Sequence, residues 1–554
     1  MRADLSTLRR ALPVLLVAAV LPYFLQLGAS SIWDANEAYY VETPREMIER
    51  GDYINPSFNY EPRFNKPVLS YWIVAGLYNL FGVSVGVQRM AIAGFAMVML
   101  AATFFIARAA SPHRLTPLLA VVGLAAGPRF FMFSRRILVD MAISAMMLLI
   151  LLFFLLAERY PHRRRLFLLL MYVCVGLGVL TKGPIAAVLP ALVFLVYLAV
   201  HRELGRIREM MIPTGTIVAL AIAAPWYVAL YMEHGWTYIT EFFIGENLGR
   251  YTETVGVQTR GLFFYVPVVF SDALPWSLCL PAAVAAWWRA KDRFRTLLLL
   301  WIAVSVLFFS FSQTKQDLYI FHIVGAVAAL GADWLVRRLE ERREARDSWL
   351  AGTVIALAAI LIALGACVLY LFVARSVYEI DGAATSGVLA IAGGVITAAL
   401  AWRRRRPAAA AAILAVFIAF NWILLLRALP SFEAYKPVVP LSDVIRREAA
   451  PGDLVMHFDV ALPSMVYYLQ RHIDVTFDVE RLHTAIRSDR TVFAVLPAHR
   501  YPQLQLEFGV PTCEVARRPT GDIRLRNLLE FQPPDEVVLI TNRCGAGREN
   551  ARAR

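Results

Sequence analysis

Long, uninterrupted runs of apolar residues limit how this chain can fold more than any other feature. The runs Ala11–Gly28, Ile137–Ala157, Pro184–Val200 and Leu350–Val373 are each long enough, or nearly so, to cross the ~30 Å hydrocarbon layer of a membrane. Because no water there can satisfy backbone amides, such runs must be helical. Charged residues make up only 18% of the 554 residues, whereas soluble domains contain about a quarter. The sequence therefore predicts an α-helical polytopic membrane protein.

The apolar runs divide into about thirteen predicted membrane helices. The first is followed by no small-residue cleavage site, so we interpret it as a retained helix and not as a signal peptide. The segment 66–82 is apolar but short, and we predict an interfacial or partly inserted helix there. The predicted spans are 11–28, 84–107, 115–132, 137–157, 166–181, 184–200, 212–232, 263–288, 296–312, 318–335, 350–373, 385–402 and 408–427.

Basic residues precede the first predicted helix and follow every even-numbered one, which indicates the orientation of the chain. Short cytoplasmic loops collect Lys and Arg, so these loops and the N-terminus are assigned to the cytoplasm of a bacterial inner membrane. The net charge of +13 then reflects topology and does not indicate a nucleic-acid partner. The basic positions are Arg9, Arg10, Arg108, Arg114, Arg159, Arg163 to Arg165, Arg202, Arg206, Arg208, Arg289, Lys291, Arg293, Arg295, Arg337, Arg338, Arg342, Arg343 and Arg403 to Arg406.

The opposite, periplasmic side receives the longer loops. Loop 31–65 is acidic and aromatic, and within it Glu37–Arg50 is predicted to form an amphipathic helix on the membrane surface. A second long outer loop covers 233–262.

From Pro430 onward the composition becomes that of a soluble domain. We therefore predict a membrane domain over 1–429 and a periplasmic α/β domain over 430–554. Its predicted strands are 453–458, 473–477, 491–496 and 536–541, with helices at 462–470 and 479–487. If this domain faces the periplasm, Cys513 and Cys544 could form a disulfide. The domain contains no Gly-rich phosphate loop, and we interpret it as an accessory domain.

Ionisable residues at or near membrane depth are costly and suggest a function or a partner. Those of this chain collect on the outer side: several cations, suited to a phosphate, and several carboxylates, suited to a general base or to stabilising an oxocarbenium ion. The candidates are Asp34, Glu37, Glu42, Lys66, Asp140, Lys182, Glu246, Arg250, Arg260, Lys315 and Tyr319.

Each candidate also has an ordinary structural interpretation. Lys182 could extend to the interface from a helix end, the acids of the first loop could be solvated, and Asp140 could pair with Arg135 or Arg136. The grouping of opposite charges on one side of the membrane is what favours a binding site.

At these residues the sequence resembles the GT-C superfamily of polyprenyl-phosphate-sugar glycosyltransferases. It is most similar to the bacterial branch of undecaprenyl-phosphate aminoarabinose transferases of lipid A (ArnT), with protein mannosyltransferases as more distant relatives. The motifs that carry the likeness are Tyr40–Met47, Lys66-Pro67, Tyr71-Trp72, Asp140, Thr181–Gly183, Pro225-Trp226, Tyr265–Pro267, Leu274–Trp276, Phe308–Ser310 and Lys315 with Tyr319.

The resemblance implies an inverting transfer of a sugar from a polyprenyl-phosphate donor to a periplasmic acceptor. The donor phosphate is expected at Lys66, Lys182, Arg260, Lys315 and Tyr319. The catalytic carboxylates are expected to be Glu37, Asp34 and Asp140. 4-Amino-4-deoxy-L-arabinose and lipid A are the first expectation for donor and acceptor, and another pentose or hexose, or another envelope glycan or protein, remains open.

Two departures from the family pattern matter. The Asp-Glu pair of the first outer loop is Asn36-Glu37 here, with Asp34 nearby. The acid and the His that bind zinc in ArnT-like enzymes correspond to Asn65 and Asn247. Two amides are poor zinc ligands, so we predict no zinc site of that kind, while another divalent cation remains open.

Two other classes of function also stay open from the sequence. A secondary transporter or flippase has many helices and a few buried charges, but usually paired halves with interrupted helices, and no such repeat is found. A non-catalytic relative is the second class, for which Asn36 is the main reason.

Overall fold

A computed structural model of the chain describes residues 5–34, 37–252, 260–340, 348–375, 377–521 and 525–544. Within these ranges the residues up to 435 are mostly helical, and a five-stranded sheet with short helices follows them. The helices of the first part are Ser6–Val20, Ala38–Arg50, Leu69–Phe81, Val85–Ala110, Thr116–Ala126, Pro128–Phe133, Leu138–Arg159, Arg164–Lys182, Ile185–Val200, Ile212–His234, Thr237–Thr240, Glu241–Gly249, Arg250–Thr252, Tyr265–Asp272, Leu280–Ala290, Arg293–Ser310, Asp317–Ile323, Val324–Glu340, Ser348–Leu369, Tyr370–Ala374, Ala383–Trp402, Arg406–Ile423, Leu424–Ala428 and Leu429–Phe432.

The helical membrane fold is confirmed. Within the described residues, nine helices are long and apolar enough to cross a membrane, and a pair bent by 111°, Leu262–Asp272 with Trp276–Ala290, makes a tenth. The remaining three predicted spans coincide with shorter helices, Ser6–Val20, Thr116–Ala126 and Ile185–Val200. The count of thirteen crossings therefore stays a prediction.

Helix ends follow the local sequence. Ser84 accepts a hydrogen bond from the Val87 amide at 3.2 Å and caps the helix Val85–Ala110. Asp292 caps Arg293–Ser310 in the same way, through the Arg295 amide. The surface helix ends at Gly51, whose φ of 66° is the left-handed conformation that glycine adopts at no steric cost.

The first outer loop contains the predicted helix, observed at Ala38–Arg50 and largely buried, and a small hairpin. The position of this helix on the membrane surface stays a prediction. Strand β1 (Ser57–Phe58) pairs antiparallel with β2 (Glu61–Pro62). Asn59 and Tyr60 between them both have positive φ, at 59° and 62°, as a two-residue type I′ turn requires. The next helix, Leu69–Phe81, has 13 residues. At about 1.5 Å per residue it falls short of a full crossing, and its interfacial placement stays a prediction.

The C-terminal part forms the predicted α/β unit. Strands β3 (Leu454–Phe458), β4 (Asp474–Thr476), β5 (Val492–Pro497), β6 (Cys513–Pro519) and β7 (Glu536–Thr541) lie in the order β4-β3-β5-β7-β6. The pairs of β3 with β4 and β5 are parallel, and those of β7 with β5 and β6 are antiparallel. Its helices are Val438–Glu448, Ser464–Leu469, Val479–Ile486, Tyr501–Phe508 and Leu525–Leu529. A disulfide joins Cys513 to Cys544. The start of this unit as a separate domain at residue 430 stays a prediction.

The α/β unit rests on the first outer loop. The Ser464 amide donates to the Asp34 carboxylate at 2.6 Å, and the Ile32 amide donates to the Tyr468 hydroxyl at 2.9 Å. Asn59 exchanges two hydrogen bonds of 2.8 Å with the backbone of Ile473. The loop is thus held between the helices and the sheet.

Candidate active site

A cavity of about 690 Å³ opens where the first outer loop meets the ends of several helices. Its walls come from Tyr39 and Tyr40 of the surface helix, from the segment 63–66, from the facing ends of Leu138–Arg159 and Arg164–Lys182, and from residues around 243–251 and 308–322. Aliphatic and phenyl groups line most of it, and a few charged groups converge among them. That combination is typical of a ligand site.

Asp140 and Lys182 form an ion pair in the cavity wall. Asp140 lies in the first turn of Leu138–Arg159 and Lys182 is the last residue of Arg164–Lys182. A helix N-terminus favours an anion and a C-terminus favours a cation, so both helices stabilise the charges they present. The Lys182 Nζ lies 5.0 Å from the centroid of the Tyr319 ring, which also lines the cavity. The alternative interpretation, in which Asp140 pairs with Arg135 or Arg136, is not observed: Asp140 pairs with Lys182, and Arg135 donates to the carbonyls of residues 22, 25 and 26.

Lys66 lies in another part of the wall and is also ion-paired. Its Nζ lies 3.2 Å from Glu246 Oε2, and the Asn65 side-chain amide donates to Glu246 Oε1 at 3.1 Å. Glu246 belongs to the second outer loop, so these contacts connect the two loops across the cavity. Both cavity carboxylates, Asp140 and Glu246, are therefore engaged by lysines.

Lys315 and Arg260 lie beside the cavity and do not belong to its lining. Lys315 Nζ donates to the carbonyl of Ser312, a lining residue, at 2.6 Å. Arg260 donates to the Lys315 carbonyl at 3.1 Å and stacks on Phe264 at 4.5 Å. The two cations are thus adjacent to each other, behind residues that line the cavity.

Glu37 and Asp34 also lie outside the lining. Glu37 is 1% exposed and accepts two hydrogen bonds from Arg89, at 2.7 and 2.9 Å. Arg89 further donates to the carbonyls of Leu27, Ser30 and Ser31. Asp34 accepts from the Ser464 amide of the α/β unit. Asn36 lies outside the described residues. The catalytic role of Glu37 and Asp34 stays a prediction, and the contacts they make are those of loop-fixing groups.

Two basic lining residues, Arg63 and His322, are not among the candidates predicted from the sequence, whereas Glu246 is. His322 follows Tyr319 by three residues, which places both on one side of a helical turn, so this spacing was an available signal. Arg63 offered no comparable signal, because it stands in a long loop whose path the sequence does not specify.

The surface helix behind the cavity contains a cluster of charges. Arg45 pairs with Glu42 at 2.6 Å, and Glu46 accepts from the Ser57 hydroxyl at 2.5 Å and from the Tyr60 amide at 3.2 Å. Burial, together with the neighbouring Glu42 carboxylate, raises the pKa of Glu46 to about 7. These contacts attach the hairpin to the helix.

The residues that correspond to the zinc ligands of ArnT-like enzymes do not fit that metal. Glu246 already receives the Lys66 ammonium and the Asn65 amide, both of which are donors. No group of three His, Cys, Asp or Glu side chains that could hold a metal ion occurs in the part of the chain that the structure describes. The Asn247 side chain lies outside it. We derive no step of the reaction through a metal.

Known proteins resemble this chain both in sequence and in fold. A family model described as dolichyl-phosphate-mannose-protein mannosyltransferase matches residues 65–228, the segment that contains Lys66, Asp140 and Lys182. The crystal structure of ArnT from Cupriavidus metallidurans bound to undecaprenyl phosphate covers 96% of this chain and 98% of its own, with a TM-score of 0.79 and 22% identity. The archaeal oligosaccharyltransferase AglB from Archaeoglobus fulgidus matches 90% of this chain and 70% of its own, with a TM-score of 0.52 and 12% identity. These structures establish the GT-C fold predicted from the sequence.

Curated relatives establish the family. An undecaprenyl phosphate-α-4-amino-4-deoxy-L-arabinose arabinosyl transferase 2 from Pseudomonas fluorescens is 30% identical over 67% of this chain, and the aligned part spans 64% of that relative's length. The corresponding transferase from Pseudomonas aeruginosa is 30% identical over 436 residues, which is 75% of either chain. The predicted resemblance is thereby confirmed: the chain belongs to the family of undecaprenyl phosphate-4-amino-4-deoxy-L-arabinose arabinosyl transferases.

Proposed function

We propose that this multi-pass membrane protein is a glycosyltransferase that moves a sugar from a polyprenyl-phosphate donor to an acceptor at the periplasmic face. The observation that carries the proposal is the cavity, in which Lys66, Lys182 and Asp140 converge among apolar walls. Cations there suit a lipid phosphate, and the apolar walls suit the lipid to which it is attached. The relatives' names and the fold shared with ArnT support the same donor class.

The transfer is proposed as a single displacement with inversion. The acceptor oxygen attacks the anomeric carbon, the bond from that carbon to the phosphate oxygen breaks, and the polyprenyl phosphate leaves with the bonding electrons. Lys182 and Lys66 stabilise the negative charge that develops on the leaving phosphate, and the Tyr319 hydroxyl donates a hydrogen bond to it. Lys315 and Arg260, behind the lining, add positive potential at the same end of the cavity.

Asp140 is the carboxylate proposed to act on the acceptor. It lines the cavity, whereas Glu37 and Asp34 are bonded to Arg89 and Ser464. With a hydroxyl acceptor Asp140 takes the proton as general base. With a phosphate acceptor, which is already anionic, Asp140 stays paired with Lys182, and the Lys182 ammonium orients the attacking phosphate. With a hydroxyl acceptor, the donor phosphate takes Lys182 as its partner, and Asp140 is released from the ion pair to act as that base.

4-Amino-4-deoxy-L-arabinose and lipid A are the proposed donor sugar and acceptor, on the strength of the relatives' names. One observation favours a second candidate, a neutral pentose or hexose. A sugar ammonium needs a carboxylate of its own, whereas Asp140 is assigned to the acceptor and Glu246 is engaged by Lys66. The transfer of such a sugar to a lipopolysaccharide, another glycan or a protein is therefore the alternative.

The test uses the purified protein with short-chain polyprenyl-phosphate sugars, one carrying aminoarabinose and one a neutral pentose, and lipid A as acceptor. Release of lipid phosphate is followed by mass spectrometry. We expect release that depends on lipid A, with a loss of roughly 100-fold or more in Asp140→Asn and Lys182→Ala. Asp381→Asn is the matched control, because this exposed acid pairs with Arg427 away from the cavity.

Each result has a definite meaning. Release from only one donor identifies the sugar among those offered. Equal release by the Asp140→Asn variant and the control would remove Asp140 from the mechanism. If folded wild-type protein releases no lipid phosphate from any donor, the proposed activity is wrong and a non-catalytic lipid-binding protein or a transporter replaces it.

A further inference from the structure

Arg63 is a cation of the cavity wall that has no acidic partner in the described part of the chain. Three cations and two carboxylates line the cavity, and each carboxylate pairs with a lysine. Arg63 is left without an ion pair, and its buried Nε has no hydrogen-bond partner. A partly buried guanidinium without an ion-pair partner carries a desolvation cost, which an anion bound in the cavity would offset.

Aromatic rings hold the Arg63 side chain in place. Its guanidinium carbon lies 3.7 Å from the centroid of the Tyr39 ring and 6.0 Å from that of Phe58. Tyr39 and Phe58 in turn meet edge to face, with their centroids 4.7 Å apart. A guanidinium stacked on an aromatic face keeps its edge N–H groups available for a ligand. The group is thus oriented before any ligand arrives.

The α/β unit contributes to this arrangement. Arg63 directly follows strand β2, and the hairpin is bonded through Asn59 to Ile473 of the unit. Phe58 packs against the apolar core on one side of its sheet. The position of Arg63 therefore depends on contacts from both parts of the protein.

We propose that Arg63 binds a phosphate in the cavity, in addition to the lysines Lys66 and Lys182. This inference rests on the proposed function for the identity of its ligands. The phosphate belongs either to the polyprenyl-phosphate donor or to a phosphorylated acceptor. In both cases the planar guanidinium donates two parallel hydrogen bonds to phosphate oxygens, which an ammonium cannot reproduce.

The test compares wild type, Arg63→Gln, Arg63→Lys and the control Arg50→Gln in the full-length protein. Arg50 belongs to the same outer loop and is exposed, with only a distant contact of 3.9 Å to Asp52. One measurement is the Kd of a short-chain polyprenyl phosphate, and the other is KM and kcat for lipid A in the transfer assay. Melting temperatures verify that each variant is folded. If Arg63→Gln does not fold, Arg63→Lys serves in its place, because it retains the positive charge beside the Tyr39 ring.

For a donor phosphate, we expect the Kd of the polyprenyl phosphate to rise about tenfold or more in Arg63→Gln, and less in Arg63→Lys. For an acceptor phosphate, that Kd is unchanged and KM for lipid A rises by a similar factor. Values for a folded Arg63→Gln variant within twofold of Arg50→Gln in both measurements would overturn the inference, and so would such values for Arg63→Lys if Arg63→Gln does not fold. If wild type binds the lipid phosphate but transfers no sugar, the proposed function is wrong, and the Kd values still show whether Arg63 binds the phosphate. If wild type neither binds nor transfers, both are wrong.

Discussion

The charged residues of the outer side fall into two groups that differ in what surrounds them. Asp140, Lys182 and Lys66 line the cavity, where their ion pairs can be exchanged for contacts with a ligand. Glu37 instead lies in a closed network with Arg89 and the carbonyls of the first loop. Removing one partner from a buried pair is costly because the other charge is left uncompensated. The two groups should therefore respond differently to substitution.

We expect Glu37→Gln to destabilise the protein, by roughly 2–4 kcal/mol, because Arg89 would lose its only carboxylate among the described residues. The measurement is the apparent melting temperature of the detergent-solubilised protein. Asp140→Asn is the comparison, since its carboxylate is partly exposed in the cavity and its loss should affect turnover much more than melting. A Glu37→Gln variant that melts like wild type but has lost turnover would show that Glu37 takes part in the reaction.

Some of the candidate residues predicted from the sequence line the cavity and others do not. Lys66, Lys182, Tyr319 and Asp140 line it, whereas Arg260 and Lys315 lie behind its lining. Asp34 and Glu37 look equivalent to Asp140 in sequence, as acids on the outer side. Only the tertiary contacts with Ser464 and Arg89 distinguish them, and those partners lie 430 and 52 residues away.

Among the elements, the hairpin β1–β2 is the one that the sequence does not reveal. It is only two residues long on each side, and Tyr60 is an unusual residue for the positive φ of its turn. Strand β6 was also missed, because an irregularity between Glu514 and Ala516 interrupts its alternation and it lies at the sheet edge. The long apolar helices and the buried strands β3, β5 and β7 were predictable, since burial on both faces makes their apolar runs continuous.

We expect Asn59→Gly to weaken phosphate binding through the hairpin, by a few-fold, without changing the cavity lining itself. Glycine accepts the φ of 59° but removes both hydrogen bonds to Ile473. The measurement is the Kd of a short-chain polyprenyl phosphate in Asn59→Gly, Arg63→Gln and the double variant. If Asn59 acts by placing Arg63, its effect disappears in the Arg63→Gln background. Additive effects would show that the hairpin influences binding by another route.

Over the whole molecule, the two faces of the helical part differ in charge chemistry. One face carries the basic loops, where Glu158 accepts from Arg164, Arg206 and Arg293 and connects three helix ends. The other face carries the cavity, the first outer loop and the α/β unit. Basic loops favour the cytoplasm, and the disulfide of the α/β unit favours an oxidising compartment. Both features support a periplasmic cavity, and both are independent of the residues that line it.

The orientation can be tested with single cysteines introduced on the two faces. Leu506 is 86% exposed on the α/β unit, so Leu506→Cys removes little packing. Arg403→Cys places a thiol in an exposed basic loop on the opposite face. In intact spheroplasts we expect a membrane-impermeant maleimide to label residue 506 and not residue 403, and to label both after permeabilisation. The unsubstituted chain gives the background from Cys174, Cys279 and Cys367. Labelling of residue 403 alone in intact spheroplasts would invert the topology and place the cavity in the cytoplasm, where the proposed transfer to a periplasmic acceptor could not occur.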